Sequence, residues 1–468
     1  MDQLDNVPIA TLRGFSAWRA SFAFAVNPVD TLERYTRRLG PVIEIERSIA
    51  SRNVTAPALV LVGPTFNRQV LLATEFLRPT GIWPVRGRPG SAQSNLRATY
   101  LTTHGAEHAC FSGAVAPLLE RPVVQQHYEA VKQIASAEIA AWPAGHVVDI
   151  CRLARNLAQR YAFTLLFGES DVGKCRQVGA LLARYHATNW SLLARVLPID
   201  LPGSQYRRVL KLAERLQSVI MAWMVASPCS PAPNIRSTIG AVSGVSPERA
   251  AAHAAGFAMA SYETTATTLT WALLLLACHP AIQTALREEL QAAGPISGLD
   301  LARLDALPLL DGVINETLRL IAPVPFLGFK VINEWQIAGR VLGKDALLII
   351  SPHLTHRMPE LYDRPRSFLP ERWLRIRPNA YEYLPFSGGP RRCPGFLFAQ
   401  YNLKVALATI LTRFGFSMLP CPRIDRGYAA ITVAKAGVHV RLTSAGREAA
   451  ALAPLRGSFF DLIDLPAS

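Results

Sequence analysis

No run of about eighteen apolar residues, the length a helix needs to cross a bilayer, occurs in this 468-residue chain. The apolar stretch Trp271–Cys278 is far too short. The opening Met1-Asp-Gln-Leu-Asp-Asn-Val-Pro lacks the basic start and apolar core of a secretion signal, so a soluble protein without a membrane anchor is expected. Cysteine is sparse: Cys110, Cys151, Cys175, Cys229, Cys278, Cys393 and Cys421 are odd in number and form no C-x-x-C pair. That argues against a disulfide framework or a zinc site and fits a reducing cytoplasm. The chain also has no long Lys/Arg run and no nucleic-acid reader motif, so its net charge of +15, spread along the sequence, does not argue for nucleic acid. Internal repeats and low-complexity tracts are missing too.

Apolar material is abundant. Half of the residues are hydrophobic and 18% are charged, enough for a sizeable core. Length alone would allow two or three domains, although single large enzymes reach this size. Ala56–Gly63 reads as a strand and Thr65–Thr74 as a helix. Arg78–Ser94 is a long irregular segment of the kind that is usually functional or mobile. A helix is expected from Gly105 towards Leu119, and Val123 to Met224 is predominantly helical, broken at Trp142-Pro-Ala-Gly145 and Leu197–Gly203. Trp190–Leu197 is a candidate roof over a pocket or plain core. Ser227–Ser246 reads as a loop. Pro247–Cys278 is one long helix, opened by Ser246-Pro-Glu and stopped by His279-Pro280. Helical character returns around Leu309–Leu320. Phe329–Ile350 has turn-broken β character, Phe396–Phe414 reads as an amphipathic helix, and Ala429–Leu442 as a terminal hairpin.

The most informative stretch is Phe386-Ser-Gly-Gly-Pro-Arg-Arg-Cys-Pro-Gly395. A loop this rich in Gly and Pro can fold back and point backbone N–H groups at a sulfur. The helix that follows would turn its positive end towards the same atom. Both effects favour thiolate, which makes Cys393 a candidate metal ligand and places Arg391 to meet an anion beside the metal. The alternative is an ordinary buried cysteine in a glycine-rich turn.

Phe386, Gly389, Arg391, Cys393 and Gly395 resemble, position for position, the haem-binding loop F-x-x-G-x-R-x-C-x-G of the cytochrome P-450 family. The resemblance extends to three further motifs in family order. Ala260-Ser-Tyr-Glu-Thr-Thr265 is similar to the A-G-x-E-T-T of the central helix, with Ser261 in place of glycine. Glu316-Thr-Leu-Arg319 matches E-x-x-R, and Phe368-Leu-Pro-Glu-Arg-Trp373 matches the short P-E-R-[FW] stretch. Together they cover about residues 247–416. In the first half the match is confined mainly to Gly105 and His108, where the family shows G-x-x-H-x-x-x-R; Ser112 stands where the arginine is expected.

The resemblance implies a mainly α fold with a smaller β region, with haem b (iron protoporphyrin IX) between the central helix and the cysteine loop. It implies one domain over 1–468, with β structure mostly within 40–65, 329–352 and 429–442 and helices in 105–320 and 395–416. Cys393 would ligate iron as thiolate, Phe386 would shield the sulfur, and Gly389 and Gly395 would shape the loop against the haem. Arg391 and His108 would hold propionates, with Lys330 near another propionate position. Ala260 would lie against the haem, Glu263 and Thr264 would serve oxygen activation, and Val324, Phe326 and Ser261 would face the substrate pocket. Ser261 would either narrow the groove or add its hydroxyl to the proton path. Glu316, Arg319 and Arg372 would form a buried charge network behind the loop. Without the family match, the acid and hydroxyls of the central helix could simply bond back to their own backbone.

The implied activity is insertion of one oxygen atom from O2 into a hydrophobic small molecule, a hydroxylation. No flavin or iron–sulfur region follows the match, so electrons would come from separate proteins: an acidic ferredoxin or flavodoxin with its reductase, drawn to a basic face. Eukaryotic members usually carry an N-terminal anchor, and its absence points to a bacterial type. Two other readings stay open. A peroxygenase of the same fold would typically lack the acid–threonine pair. A non-catalytic haem protein that binds a ligand without turnover is compatible with Ser261 and Ser112.

Overall fold

The computed structural model describes residues 7–46, 56–225, 233–420, 422–444 and 455–465. Its axis is the helix Pro247–Cys278, with the extent expected from its end signals. Ser246 Oγ accepts the Arg249 N–H, and Pro247 occupies the first turn, where a missing N–H costs nothing. From Ala250 to Cys278 every residue is buried except Ala260, Ser261 and Thr264. A helix covered on all faces belongs to a core, and its hydroxyls must bond internally. Thr268 donates to the Thr264 carbonyl (2.9 Å) and Thr270 to that of Ala266 (2.8 Å).

Helices Ile150–Tyr161, Gln205–Val225, Pro308–Leu320 and Phe396–Arg413 pack around this axis. Phe396–Arg413 is not amphipathic as its sequence suggests, since Leu397, Phe398 and all of Tyr401–Leu411 are buried. Two of the polar residues that give it an apparent wet face are satisfied inside, while Asn402 Oδ1 is buried without a partner. Lys404 Nζ meets Asp305 (2.6 Å) and Asp311 (2.7 Å), and Thr409 donates to the Val405 carbonyl (2.7 Å). Phe414 leaves the helix to begin a strand.

A six-stranded sheet flanks the helices in the order Ala10–Leu12, Val42–Ile45, Ala58–Leu61, Leu347–Ile350, Leu327–Val331, Leu77–Pro79. Val60 faces Ile43 on an antiparallel neighbour and Ile349 on a parallel one. A second sheet joins Phe414–Met418, His439–Ser444 and Val147–Asp149. The fold is therefore mainly α with small sheets, but β structure reaches beyond 40–65, 329–352 and 429–442. Strands of three residues, such as Ala10–Leu12, Leu77–Pro79 and Val147–Asp149, are too short to display a period of two.

The hairpin expected over Ala429–Leu442 is corrected. Arg426–Ala429 pairs with Ile431–Ala434 around Ala430, which turns at φ 61°, while His439–Ser444 crosses to the second sheet. Within the segment read as a loop, Ile235–Gly240 forms a short helix capped by Asn234 Oδ1 on the Ser237 N–H; 226–232 lie outside the described residues. No single described helix is long and apolar enough to cross a membrane.

Candidate active site

The cysteine loop is closed by its own backbone. The Cys393 N–H donates to the Phe386 carbonyl at 2.8 Å, and the Arg392 N–H to that of Gly389 at 3.1 Å. Gly389 sits at φ +64°, and a Cβ there would lie 2.9 Å from the Leu71 carbonyl oxygen, so both conformation and space demand glycine. At Gly395 an added Cβ would meet nothing within 4 Å. The Gly395 N–H points at the Cys393 sulfur, and helix Phe396–Arg413 starts at the next residue. Phe386 packs edge-on against Phe396 at 6.3 Å.

Burial pushes the Cys393 thiol up, against the opposing pull of the Gly395 N–H and the Arg392 charge. The Gly395 N–H pulls towards thiolate, the direction the loop's sequence suggests, but burial outweighs it. A cation at the sulfur would reverse that balance, because coordination deprotonates a thiol outright.

Arg391 Nη2 donates to the Thr103 carbonyl at 2.6 Å. Beside it Tyr100 is sandwiched between His108 (centroids 5.0 Å apart) and Phe257 of the central helix (4.5 Å). The Tyr100 hydroxyl pairs with Ser112, and its phenol senses the charges of Arg391 and Cys393. Tyr100 thus packs on the central helix within reach of the cysteine loop's charges, and Ser112, in place of an arginine, pairs with its hydroxyl. Burial, with the Arg391 charge, holds His108 down to about 4, so its imidazole is neutral at physiological pH. Arg391 and His108 supply a fixed cation and a neutral N–H donor, a set suited to carboxylates.

Ala260, Ser261 and Thr264 form the one partly exposed stripe of the buried part of the central helix. Thr264 Oγ1 donates back to the Ala260 carbonyl at 3.2 Å, and Ser261 Oγ to that of Ala258 at 2.9 Å. Ser261 therefore spends its proton locally. Glu263 is buried off the stripe, in a two-contact ion pair with Arg155 of helix Ile150–Tyr161. Beyond it His186 Nε2 lies 2.5 Å from the Ala429 carbonyl at the tip of the hairpin, and burial holds its basicity down.

The hairpin also carries Tyr428, which packs on Trp190 (5.1 Å) and on Phe326 (4.8 Å), so the expected wall residue Phe326 joins an aromatic row. Val324 is half-buried in the same segment. Lys330 is engaged by Asp345 at 2.5 Å, which removes it from the candidate carboxylate holders.

Behind the loop, Glu316 and Arg319 are wholly buried. Arg319 donates to both Glu316 oxygens (2.9 and 2.8 Å), and Arg372 Nε (2.9 Å), Trp373 Nε1 (3.0 Å) and the Leu369 N–H (3.1 Å) complete the carboxylate's partners. Arg319 Nη1 braces the His356 and Pro365 carbonyls. Sequence reasoning passed over Trp373 as a member of this cluster, and also over Tyr100, Arg155, His186 and Tyr428. Trp373 closes the P-E-R-[FW] stretch, but its partner Glu316 lies far along the chain, and the other four belong to no motif.

Among the described residues no three His, Cys, Asp or Glu side chains converge on one point. A metal held by Cys393 would thus have to bring most of its other ligands with it, as iron in a macrocycle does. With Arg391 and His108 as carboxylate partners, a partly exposed stripe of small residues on the central helix and free space at Gly395, the residues fit a haem.

The cytochrome P-450 family model matches residues 232–434. Cytochrome P-450 139 of Mycobacterium tuberculosis is 30% identical over 353 residues, covering 70% of this chain and 80% of that protein. Mouse cytochrome P-450 3A13 is 38% identical over 175 residues, 36% of this chain and 34% of its own. Among solved structures, the retinoic acid-bound cyanobacterial CYP120A1 superposes with a TM-score of 0.77 at 22% identity, covering 91% of this chain and 96% of its own. A six-coordinated cytochrome P-450 from Thermus thermophilus gives 0.67 at 23% identity, covering 94% and 100%.

Proposed function

The chain belongs to the cytochrome P-450 family and is a haem monooxygenase, and from this premise we propose that it hydroxylates a hydrophobic small molecule with electrons from separate acidic redox proteins. The carrying observation is the closed Cys393 loop with Arg391, Tyr100 and His108 beside it, in a chain whose buried central helix leaves only Ala260, Ser261 and Thr264 partly uncovered. The reading treats residues 1–468 as one domain.

Haem, when bound, supplies the reductive activation of O2. Cys393 would hold its iron through the sulfur, steadied by the Gly395 N–H. Arg391 and His108 would hold the propionates, with Tyr100 and Ser112 setting the His108 ring in place. Thr264 holds its hydroxyl proton in a long bond to the Ala260 carbonyl, from which it would readily turn to a water or to substrate O2. Glu263, buried and paired with the partly exposed Arg155, would be the acid that passes protons towards Thr264 through water. Ser261, bonded to Ala258, plays no part in that path.

Tyr428, Phe326 and Trp190 support an apolar substrate. The exposed Arg392, stacked on the Phe396 ring at 4.0 Å, supports an acidic electron donor on the cysteine side. The retained acid–threonine pair favours O2 over peroxide as oxidant.

The test is the difference spectrum of the reduced, carbon-monoxide-bound protein. A Soret band at the long-wavelength position of thiolate-ligated haem, lost in Cys393→His while haem is retained, supports the assignment. A band at the imidazole-like or neutral-thiol position in the folded wild type removes it.

A further inference from the structure

A cleft of about 560 Å³ opens between helix Pro28–Leu39, the start of the hairpin and the C-terminal segment. It is lined by Arg34, Arg37, Arg38, Arg366 and Arg426, with Asp30, Glu33 and Asp461. None of these residues belongs to the cysteine loop or the central helix. Five arginines face three acids, so positive charge is in excess. Asp30 pairs with Arg426, Glu33 accepts from His353 Nε2 at 2.6 Å, and Arg366 is held by the Asp461 backbone carbonyl (Nη2, 2.7 Å) and by Asp464 (Nε, 3.0 Å). Arg34, Arg37 and Arg38 stand exposed along one helix face.

The floor is less usual than the rim. Arg426 is only 8% exposed, and its Nη1 is a buried donor that finds no acceptor. Next to it Arg357 leaves both Nε and Nη2 buried and unpartnered, and its nearest charges include Glu33, Arg366 and Arg426. A buried guanidinium donor without an acceptor is costly, and groups of this kind ordinarily have a partner. Planar forks of N–H donors match phosphate oxygens two at a time, and exposed arginines at the mouth can meet further charge. The volume exceeds what one inorganic ion fills and suits a small organic phosphate.

We propose that this cleft binds a soluble, phosphate-bearing small molecule, its phosphate seated on Arg426 Nη1 and its remaining charge met by Arg37 and Arg38. A protein carboxylate on a flat acidic surface fits less well, because Arg426, the lining residue with an unpartnered donor, is buried. The site adjoins the substrate side through one element. Arg426 begins the strand whose far end, Tyr428 and Ala429, touches Phe326 and His186.

Isothermal titration of the purified full chain with pyrophosphate and with adenosine 5′-monophosphate, at fixed ionic strength of about 0.15 M to screen loose surface pairing, tests this. Adenosine is the uncharged control. One saturable site for at least one phosphate probe and none for adenosine is expected. Arg37→Glu/Arg38→Glu, at exposed positions that carry no fold contact, should weaken it at least tenfold. Arg426→Lys, which keeps the charge near Asp30 but loses Nη1, should weaken it by a similar factor. No saturable binding of either probe overturns the proposal, as does binding that both variants leave unchanged. Binding confined to vesicles carrying phosphatidic acid overturns the assignment to a soluble ligand.

Discussion

Glu263 and Arg155 close a two-contact ion pair between neighbouring helices, Nη2 to Oε1 at 3.0 Å and Nε to Oε2 at 3.3 Å. The carboxylate is 6% exposed and the guanidinium 37%, so the pair links a buried acid to the solvent boundary. If Glu263 passes protons, Glu263→Gln should lower product formation about 10²-fold with haem content and the carbon-monoxide spectrum unchanged. Arg155→Lys keeps the charge but loses the fork, and should cost about 1 kcal/mol in urea unfolding. Full turnover in Glu263→Gln would take the acid out of the proton path.

The Glu316 cluster makes a larger claim on stability. Its carboxylate is fully buried and has five donors from Arg319, Arg372, Trp373 and Leu369. Removing one cation strands a buried charge, so Arg319→Ala should destabilise the protein by roughly 3–5 kcal/mol. Denaturant midpoints of the wild type and variant measure it; a loss below about 1 kcal/mol would show that the cluster is not what braces the loop.

Acid should unfold the protein early. His353 is buried and held down to about 4, by burial first and then by the charge of Arg357, against the pull of Glu33; Arg426 also faces it. Burial would raise Glu33, but the His353 hydrogen bond and the charges of His353, Arg357 and Arg426 outweigh it and set it at about 2. For a histidine lowered from 6.5, the unfolded chain binds more protons between pH 6.5 and 4, so stability is lost as pH falls through that window. Glu33, lowered from 4.5, adds a further loss between about 4.5 and 2. The first loss should reach at least about 1 kcal/mol. His353→Gln, which still donates to Glu33 but does not titrate, should flatten the slope between pH 6.5 and 4; an unchanged slope would assign it to other histidines.

The central helix could be bounded to the residue from sequence because both ends carry local signals, Ser246-Pro247 and His279-Pro280. The order of the motifs likewise gave the family and fold class, since each motif is contiguous. What escaped was non-local. Tyr100 comes to matter only when His108 and Phe257 close around it, and Arg155 only when its helix lies along Glu263. Lys404 made a buried helix look half wet because its two acids come from elsewhere in the chain. Pairing across long separations leaves no periodicity to read.

Gly389 brings local and non-local constraints to one atom. Its φ of +64° would cost a residue with a Cβ about 1–2 kcal/mol, and that Cβ would also press on the Leu71 carbonyl at 2.9 Å. Leu71 belongs to helix Pro64–Leu72, so the loop cannot retreat without moving a packed helix. Gly389→Ala should therefore shift the Arg392–Gly389 turn and with it the Cys393 N–H bond to Phe386. The expected result is reduced haem occupancy after purification, with far-ultraviolet circular dichroism close to wild type because the helices remain. Gly395→Ala makes the paired measurement. Nothing in the protein opposes a Cβ there, so any loss of haem in that variant reports on the haem's own approach to the loop. If Gly395→Ala loads fully while Gly389→Ala does not, the loop's shape matters and the proposed closeness of the haem to Gly395 is wrong.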